Sequence, residues 1–133
     1  MPAISVWFVR TALLHFALGA TAGAWRLVAM NGGLHPSIFS LRPLHVEGML
    51  IGWLCQFALG VAVWILPFSD QVSADWRLWS AWAALNGGLA ISILGPWMRL
   101  PSLLMFGRSA ELLAGALAAW VLWPRVRGIP VHS

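Results

Sequence analysis

Four long apolar runs, separated by short polar or turn-forming segments, dominate the pattern along the chain. Each run reaches the roughly 20 apolar residues that a helix needs to cross a bilayer. Asn, Gly and Pro residues lie between the runs, as is typical of positions where helices end. The sequence therefore predicts an all-α, integral membrane four-helix bundle that forms a single domain, residues 1–133, with spans of about 5–30, 36–66, 76–94 and 101–123.

Proline positions refine the limits of these spans. Pro43 lies inside the second run and is expected to kink the helix or to mark a late start. Gly95 and Pro96 are expected to end the third span, and Pro124 the fourth. Four spans place both ends of the chain on the same side of the membrane, and we expect that side to be the cytoplasm.

Composition agrees with a lipid environment and excludes several classes of function. Sixty per cent of the residues are apolar and only 9% are charged, whereas a soluble domain carries about 25% charged residues. A soluble enzyme, a nucleic-acid-binding module and a disordered tail are therefore excluded. The net charge of +4 comes from arginines that are scattered along the chain, so it does not indicate nucleic-acid binding.

Ionisable side chains inside the spans are candidate functional residues, because charge within lipid is costly. His45 is the most informative of them, since Gly48, Met49 and Gly52 follow it along one face of the second helix. One interpretation is close helix packing through small residues. The other is a slot for a flat ligand such as haem, with His45 as the iron ligand and Gly48, Met49 and Gly52 as its walls.

Four arginines lie at the same end of the spans as His45. Guanidinium groups at this depth could hold the propionates of a haem, although snorkelling towards lipid headgroups is an alternative. The candidates for this role are Arg26, Arg42, Arg99 and Arg108.

The other histidines are expected to play different parts. His15 lies deeper than His45 by roughly 10 Å at about 1.5 Å per residue, so one iron bound by both within a chain would be strained. We expect His15 to be a hydrogen-bonded packing residue, with a metal ligand of a deeper site as the alternative. His35 precedes a proline in a loop and is expected to be solvated. Asn86 is expected to form hydrogen bonds across helices.

The two glutamates inside the spans are expected to form ion pairs. Glu47 lies about 200° around the helix from His45, so both cannot ligate one ion from the same face. An arginine on a neighbouring helix is its expected partner. Glu111 follows Arg108 by three residues, which predicts a local pair on the fourth helix.

The second span, Leu41–Trp53, reads LRPLHVEGMLIGW. It resembles the second transmembrane helix of subunit I of haem-copper oxidases, especially the cbb-type oxidases and nitric oxide reductases. In that family a similar stretch carries the histidine ligand of a low-spin haem b, so the resemblance implies that His45 is a haem ligand. The chain as a whole resembles small four-span proteins grouped as subunit-I-like, through the motifs Trp64-Ile65-Leu66-Pro67, Leu85-Asn86-Gly87-Gly88, Gly107-Arg108 with Glu111, and Trp123-Pro124-Arg125.

The departures from this family limit what the resemblance implies. A full subunit I has twelve spans and additional histidines for a second haem and copper, whereas this chain has four predicted spans and no tyrosine. Oxygen or nitric oxide reduction by this chain alone is therefore not expected. The pseudo-threefold arrangement of subunit I suggests a homotrimer around haem b, in which a neighbouring copy supplies the second axial ligand.

Three candidate functions from different classes follow. The first is a haem b protein of the bacterial or archaeal cell membrane, acting in electron transfer, gas sensing or haem handling near a respiratory chain. The second is a cofactor-free structural or assembly subunit of a respiratory complex, in which the glycines are helix-docking surfaces. A third is a proton or metal conduit, which would need His15, Glu47 and Glu111 to line one continuous path.

Overall fold

Four long helices make up the fold. The computed structural model describes residues 1–32, 41–66 and 75–126, and no β-strand occurs among them. Each helix is long and apolar enough to cross a membrane, which confirms the all-α, four-span prediction. The helices are α1 (Ala3–Asn31), α2 (Arg42–Ile65), α3 (Trp76–Met98) and α4 (Pro101–Leu122), and a short 3-10 turn, Trp123–Arg125, follows α4.

Two of the predicted span limits can be compared directly with the helix ends. Pro43 lies in the first turn of α2, which begins as an α-helix at Arg42, and its missing N–H costs nothing there. The expectation that Gly95 and Pro96 end the third span is wrong, because α3 continues to Met98. A proline this close to a helix end removes little of the hydrogen-bond ladder. The predicted beginning of the second span, His35 and Pro67 lie outside the described residues.

The helix α3 ends instead at Arg99, which adopts a left-handed conformation with φ 55°. Its amide donates to the carbonyl of Pro96, and the amide of Leu100 donates to the carbonyl of Gly95. These bonds satisfy carbonyl groups that the helix end would otherwise leave free. Only Arg99 and Leu100 separate α3 from α4.

The middle of α2 is not a regular α-helix. Gly48–Cys55 is π-helical, between α-helical segments Arg42–Glu47 and Gln56–Ile65. Long π-helical stretches are rare, and the sequence pattern predicted only a continuous α-helix here. The π-helical segment contains two of the glycines, Gly48 and Gly52, that face α1.

The helices form two antiparallel pairs that are closely packed through small residues. In the first pair Gly60 lies beside Phe8 and Gly52 beside His15, so α2 runs against α1. In the second pair a Cβ atom on Gly88 would lie 2.8 Å from the carbonyl oxygen of Gly107. Such close backbone approach is typical of helix contacts in membranes.

An apolar core joins the two pairs near the beginning of α1. It contains side chains from all four helices, while many large apolar side chains elsewhere face outwards. Outward apolar side chains suit a lipid environment, since lipid tails are as apolar as the side chains themselves. The buried core residues are Ile4, Phe8, Val63, Leu78, Leu85, Ala114, Val121 and Leu122.

Candidate functional site

His45 lies in the first turn of α2 and packs against a notch in α1. The notch is made by Gly19 and Gly23, and a Cβ atom on Gly23 would lie 2.5 Å from Nδ1 of His45. Nδ1 lies 2.8 Å from the carbonyl oxygen of Gly19. Since a carbonyl can only accept, Nδ1 carries the proton and donates it. In a neutral ring Nε2 then has a free lone pair, and no described residue forms a hydrogen bond with it.

The glycine face of α2 is filled by α1. A Cβ atom on Gly52 would lie 2.7 Å from Cγ of His15 and 2.8 Å from Cδ2 of Leu89, and the position of Gly48 lies against the backbone of Gly19. The prediction that Gly48 and Gly52 share one face is therefore confirmed. The interpretation of that face as an open slot for a flat ligand is wrong within one chain, because close helix packing occupies it.

Met49 also contacts α1 rather than an open space. Its Cγ and Sδ atoms lie 3.0 and 3.1 Å from the position of a Cβ atom on Gly19. Met49 therefore packs beside His45 at the α1–α2 contact and does not line an open slot.

Two of the four candidate arginines lie at the same end of the α1–α2 pair as His45. Arg26 follows Gly19 by seven residues, which places it on the α1 face that contacts His45. Its Nε atom is buried and has no hydrogen-bond partner among the described residues. Arg42 lies one turn before His45 on α2. His45, Arg26 and Arg42 thus belong to the same end of the α1–α2 pair.

The other two arginines lie elsewhere. Arg99 lies in the turn between α3 and α4. Arg108 donates from Nη1 to Oε2 of Glu47 and Oε2 of Glu111, both at 2.8 Å, and from Nη2 to Oε1 of Glu47. The expectation that Arg108 holds a propionate is wrong within this chain, because two carboxylates already engage its guanidinium group.

Glu47, Arg108 and Glu111 form a carboxylate cluster between α2 and α4. Both predicted ion pairs are therefore confirmed, the first across helices and the second within α4. One guanidinium group and two ionised carboxylates sum to a charge of −1. Oε1 of Glu111 is buried without a hydrogen-bond partner among the described residues, so the cluster is not fully satisfied.

His15 belongs to a polar layer that joins α1, α2 and α3. The layer consists of Thr11, His15, Gln56, Trp82 and Asn86. Asn86 donates from Nδ2 to the carbonyl of Trp82, so its Oδ1 accepts from Nε2 of His15 at 2.9 Å. Nε2 of Gln56 donates to Thr11 and to Asn86, and Nε1 of Trp82 donates to Thr11. The expected hydrogen bonds of His15 and Asn86 are confirmed.

Thr11 and Trp82 were not predicted to belong to this layer. The available signal was a hydroxyl group and an indole N–H within apolar runs, since both groups need a partner in lipid. Thr residues can also bond their own helix backbone, as Thr11 does to the carbonyl of Trp7. Sequence alone could not assign the cross-helix bond.

The histidines and carboxylates do not form a single site. His15 lies at the level of Gly52 on α2, seven residues or about 10 Å along the helix from His45. No hydrogen bond joins the polar layer to the carboxylate cluster among the described residues, and no group of three or more His, Cys, Asp or Glu side chains lies together there. The continuous path required for a proton or metal conduit is therefore not formed by these bonds.

Three comparisons with known proteins found no match: no family model, no curated protein and no solved structure matches this chain. The similarity to subunit I of haem-copper oxidases therefore depends on the motifs of the sequence alone.

Proposed function

We propose that the protein binds haem b through His45 and serves electron transfer, gas sensing or haem handling near a respiratory chain in a bacterial or archaeal membrane. The observation that supports this most directly is the hydrogen bond from Nδ1 of His45 to the carbonyl of Gly19. Histidines that bind metals usually donate their other ring N–H to a carbonyl or carboxylate, which fixes the ring and its tautomer. Nε2 of His45 would be the iron ligand.

The donors around His45 fit the rest of a haem. Arg26 and Arg42 lie at the same end of α1 and α2, and the buried Nε of Arg26 lacks a partner among the described residues. These two arginines would hold the propionates. The chemistry that a bound haem supplies is one-electron exchange or gas binding, tuned by its axial ligands and burial.

A second copy of the chain would complete this site. Because α1 fills the glycine face of α2, the haem would be held at the edge of the α1–α2 pair and shared with a neighbouring subunit. A homotrimer, with an axial ligand from the neighbour, is the assembly we propose. Native mass spectrometry should detect haem only in the oligomer, and a detergent-stable monomer with a full complement of haem would contradict the shared site.

An absorption spectrum tests the haem proposal. Protein purified from haem-replete cells should show a Soret band, and His45→Ala should abolish or strongly change it, with partial recovery on addition of imidazole. His15→Gln is the matched control and should retain the band, since His15 belongs to the polar layer. A Soret band unchanged by His45→Ala would refute the assignment.

A cofactor-free structural subunit of a respiratory complex is the second candidate. The packed glycine faces favour it, because Gly52 and Gly60 act as helix-docking positions and both histidines have hydrogen bonds. A colourless, well-folded preparation from haem-replete cells would select this function over the first.

A further inference from the structure

A lipid-facing groove lies between α2 and α4, with Leu85 of α3 at its base. Its volume is about 700 Å³, and its walls are almost wholly apolar. Cys55 and Leu59 line it from α2, and Gly115 and Ala116 line it from α4. No atom lies within 4 Å of the position of a Cβ atom on Gly115, so the groove is open along this side.

The carboxylate cluster forms the polar end of the groove. Arg108 and Glu111 both line it, and the Glu111 side chain is only 7% exposed. Glu47 and Glu111 share the single guanidinium group of Arg108, so the cluster carries one excess negative charge with both carboxylates ionised. An excess charge beside a buried, unbonded carboxylate oxygen is costly in an apolar environment.

We propose that this groove binds a lipophilic amine in its protonated form, with the ammonium group at Glu111 and the apolar body along α2 and α4. The ammonium cancels the excess charge of the cluster. It also donates a hydrogen bond to the carboxylate of Glu111, whose hydrogen-bonding capacity is only partly used by Arg108. The apolar walls exclude water and favour a body without further polar groups.

The charged groups that face Glu111 among the described residues are Arg108 on its own helix and Glu47 on α2. The described contact of Glu111 with α3 is at Gly88, which carries no charge. The excess negative charge of the cluster therefore meets no counter-charge from α3 at this contact.

The rate at which Cys55 is alkylated measures whether the groove is occupied, because a bound ligand protects the thiol from the reagent. Cys55 is exposed and lines the groove, and it is the sole cysteine of the chain. The full chain in phosphatidylcholine nanodiscs is treated with N-ethylmaleimide, and the alkylated fraction is followed by intact mass. We expect 1-pyrenemethylammonium to slow alkylation several-fold and saturably, while its neutral analogue 1-pyrenemethanol leaves the rate unchanged.

Variants separate the charge from the shape of the site. Glu111→Gln should abolish protection and Glu111→Asp should retain part of it. Gly115→Leu fills the groove without replacing any residue of the cluster and should also abolish protection. This variant tests the proposal if circular dichroism shows that Glu111→Gln does not fold. Equal protection by the alcohol, protection that survives Glu111→Gln or Gly115→Leu, or a Cys55 that a second copy already shields would each overturn the proposal.

Discussion

Glycine residues on the faces of α2 and α3 differ sharply in what surrounds them. A Cβ atom on Gly52 would lie 2.7–2.8 Å from atoms of His15 and Leu89, whereas Gly87 has no neighbouring atom within 4 Å of that position. We therefore expect Gly52→Ala to destabilise the fold by ~1–3 kcal/mol, as overpacking does. Gly87→Ala is the matched control and should be neutral or stabilise the fold by up to about 1 kcal/mol, because Ala has the higher helix propensity and meets no neighbour there.

Titration with sodium dodecyl sulfate, followed by circular dichroism, measures both free energies of unfolding. Equal stabilities of the two variants would show that α1 and α2 do not meet at Gly52 as closely as described.

The two intramembrane histidines should differ in tautomer. His45 donates from Nδ1 to a carbonyl, and His15 donates from Nε2 to the side-chain oxygen of Asn86. Where each ring is neutral, ¹⁵N solid-state NMR should find the proton on Nδ1 of His45 and on Nε2 of His15. Asn86→Leu should alter only the His15 signals, and a proton on Nε2 of neutral His45 would remove the main support for its role as an iron ligand.

At the residue scale, the sequence predicted the partner of a side chain correctly where the chemistry of that side chain allowed few partners. Glu47 needed a cation in lipid, and the arginines were the available cations. It failed for Arg108, because a guanidinium group at a suitable depth can serve a propionate or a carboxylate equally well. The choice depends on how α2 and α4 are rotated towards each other, and the sequence of one helix does not fix that rotation.

At the scale of single helices, Asp75 fixes the beginning of α3. Its side chain accepts from the backbone amide of Arg77 and pairs with the Arg77 guanidinium group. Burial alone would raise the pKa of Asp75, but these hydrogen bonds and the positive charge outweigh it, and the pKa is lowered from 3.8. The stabilisation is therefore fully present above that pH and is lost as the pH falls through the lowered pKa.

We expect Asp75→Ala to cost about 1 kcal/mol at neutral pH, as the loss of a helix cap does. Asp75→Asn keeps an acceptor for the backbone amide without the charge, so its stability should lack this acid-dependent loss. Detergent unfolding curves at neutral and acidic pH measure the effect, and identical acid sensitivity in the wild type and Asp75→Asn would exclude Asp75 as its source.

The contact between α2 and α4 depends on Arg108. Replacement by methionine leaves two carboxylates without their shared cation, and the loss of one partner of a buried ion pair costs ~3–5 kcal/mol. We expect Arg108→Met to lie at the lower end of this range, because the Arg108 side chain is 38% exposed and the ion pairs are only partly buried. Adding Glu47→Gln should recover stability in the same unfolding assay, and purely additive losses would contradict the shared cluster.

At the scale of the whole molecule, the polar layer joins three helices that the apolar pattern cannot align by itself. Asn86→Leu leaves the Nε2–H of His15 without its acceptor, which costs about 1–3 kcal/mol. Gln56→Leu should cost less than about 1 kcal/mol, since Thr11 still accepts from Trp82 and Asn86 still accepts from His15. A larger loss for Gln56→Leu in the unfolding assay would show that Gln56, and not Asn86, is the centre of the layer.

The number of helices and their approximate limits could be predicted because apolar length is a property of each run alone. The sequence did not allow the same prediction of which helix faces contact each other. The stripe from Gly48 to Gly60 suits both a ligand slot and a docking surface, and only the position of α1 decides between them. The π-helical segment likewise has no apolar periodicity that distinguishes it from an α-helix. The left-handed turn at Arg99 could not be predicted either, because such positions are usually occupied by glycine and this one is an arginine.

The turn between α3 and α4 has a consequence for biogenesis. Only Arg99 and Leu100 connect the two helices. This connection is too short for one helix to insert into the bilayer while the other remains outside it. The two helices therefore insert together, as a hairpin with Arg99 near its tip. Their opposite directions across the membrane are set in the same insertion event.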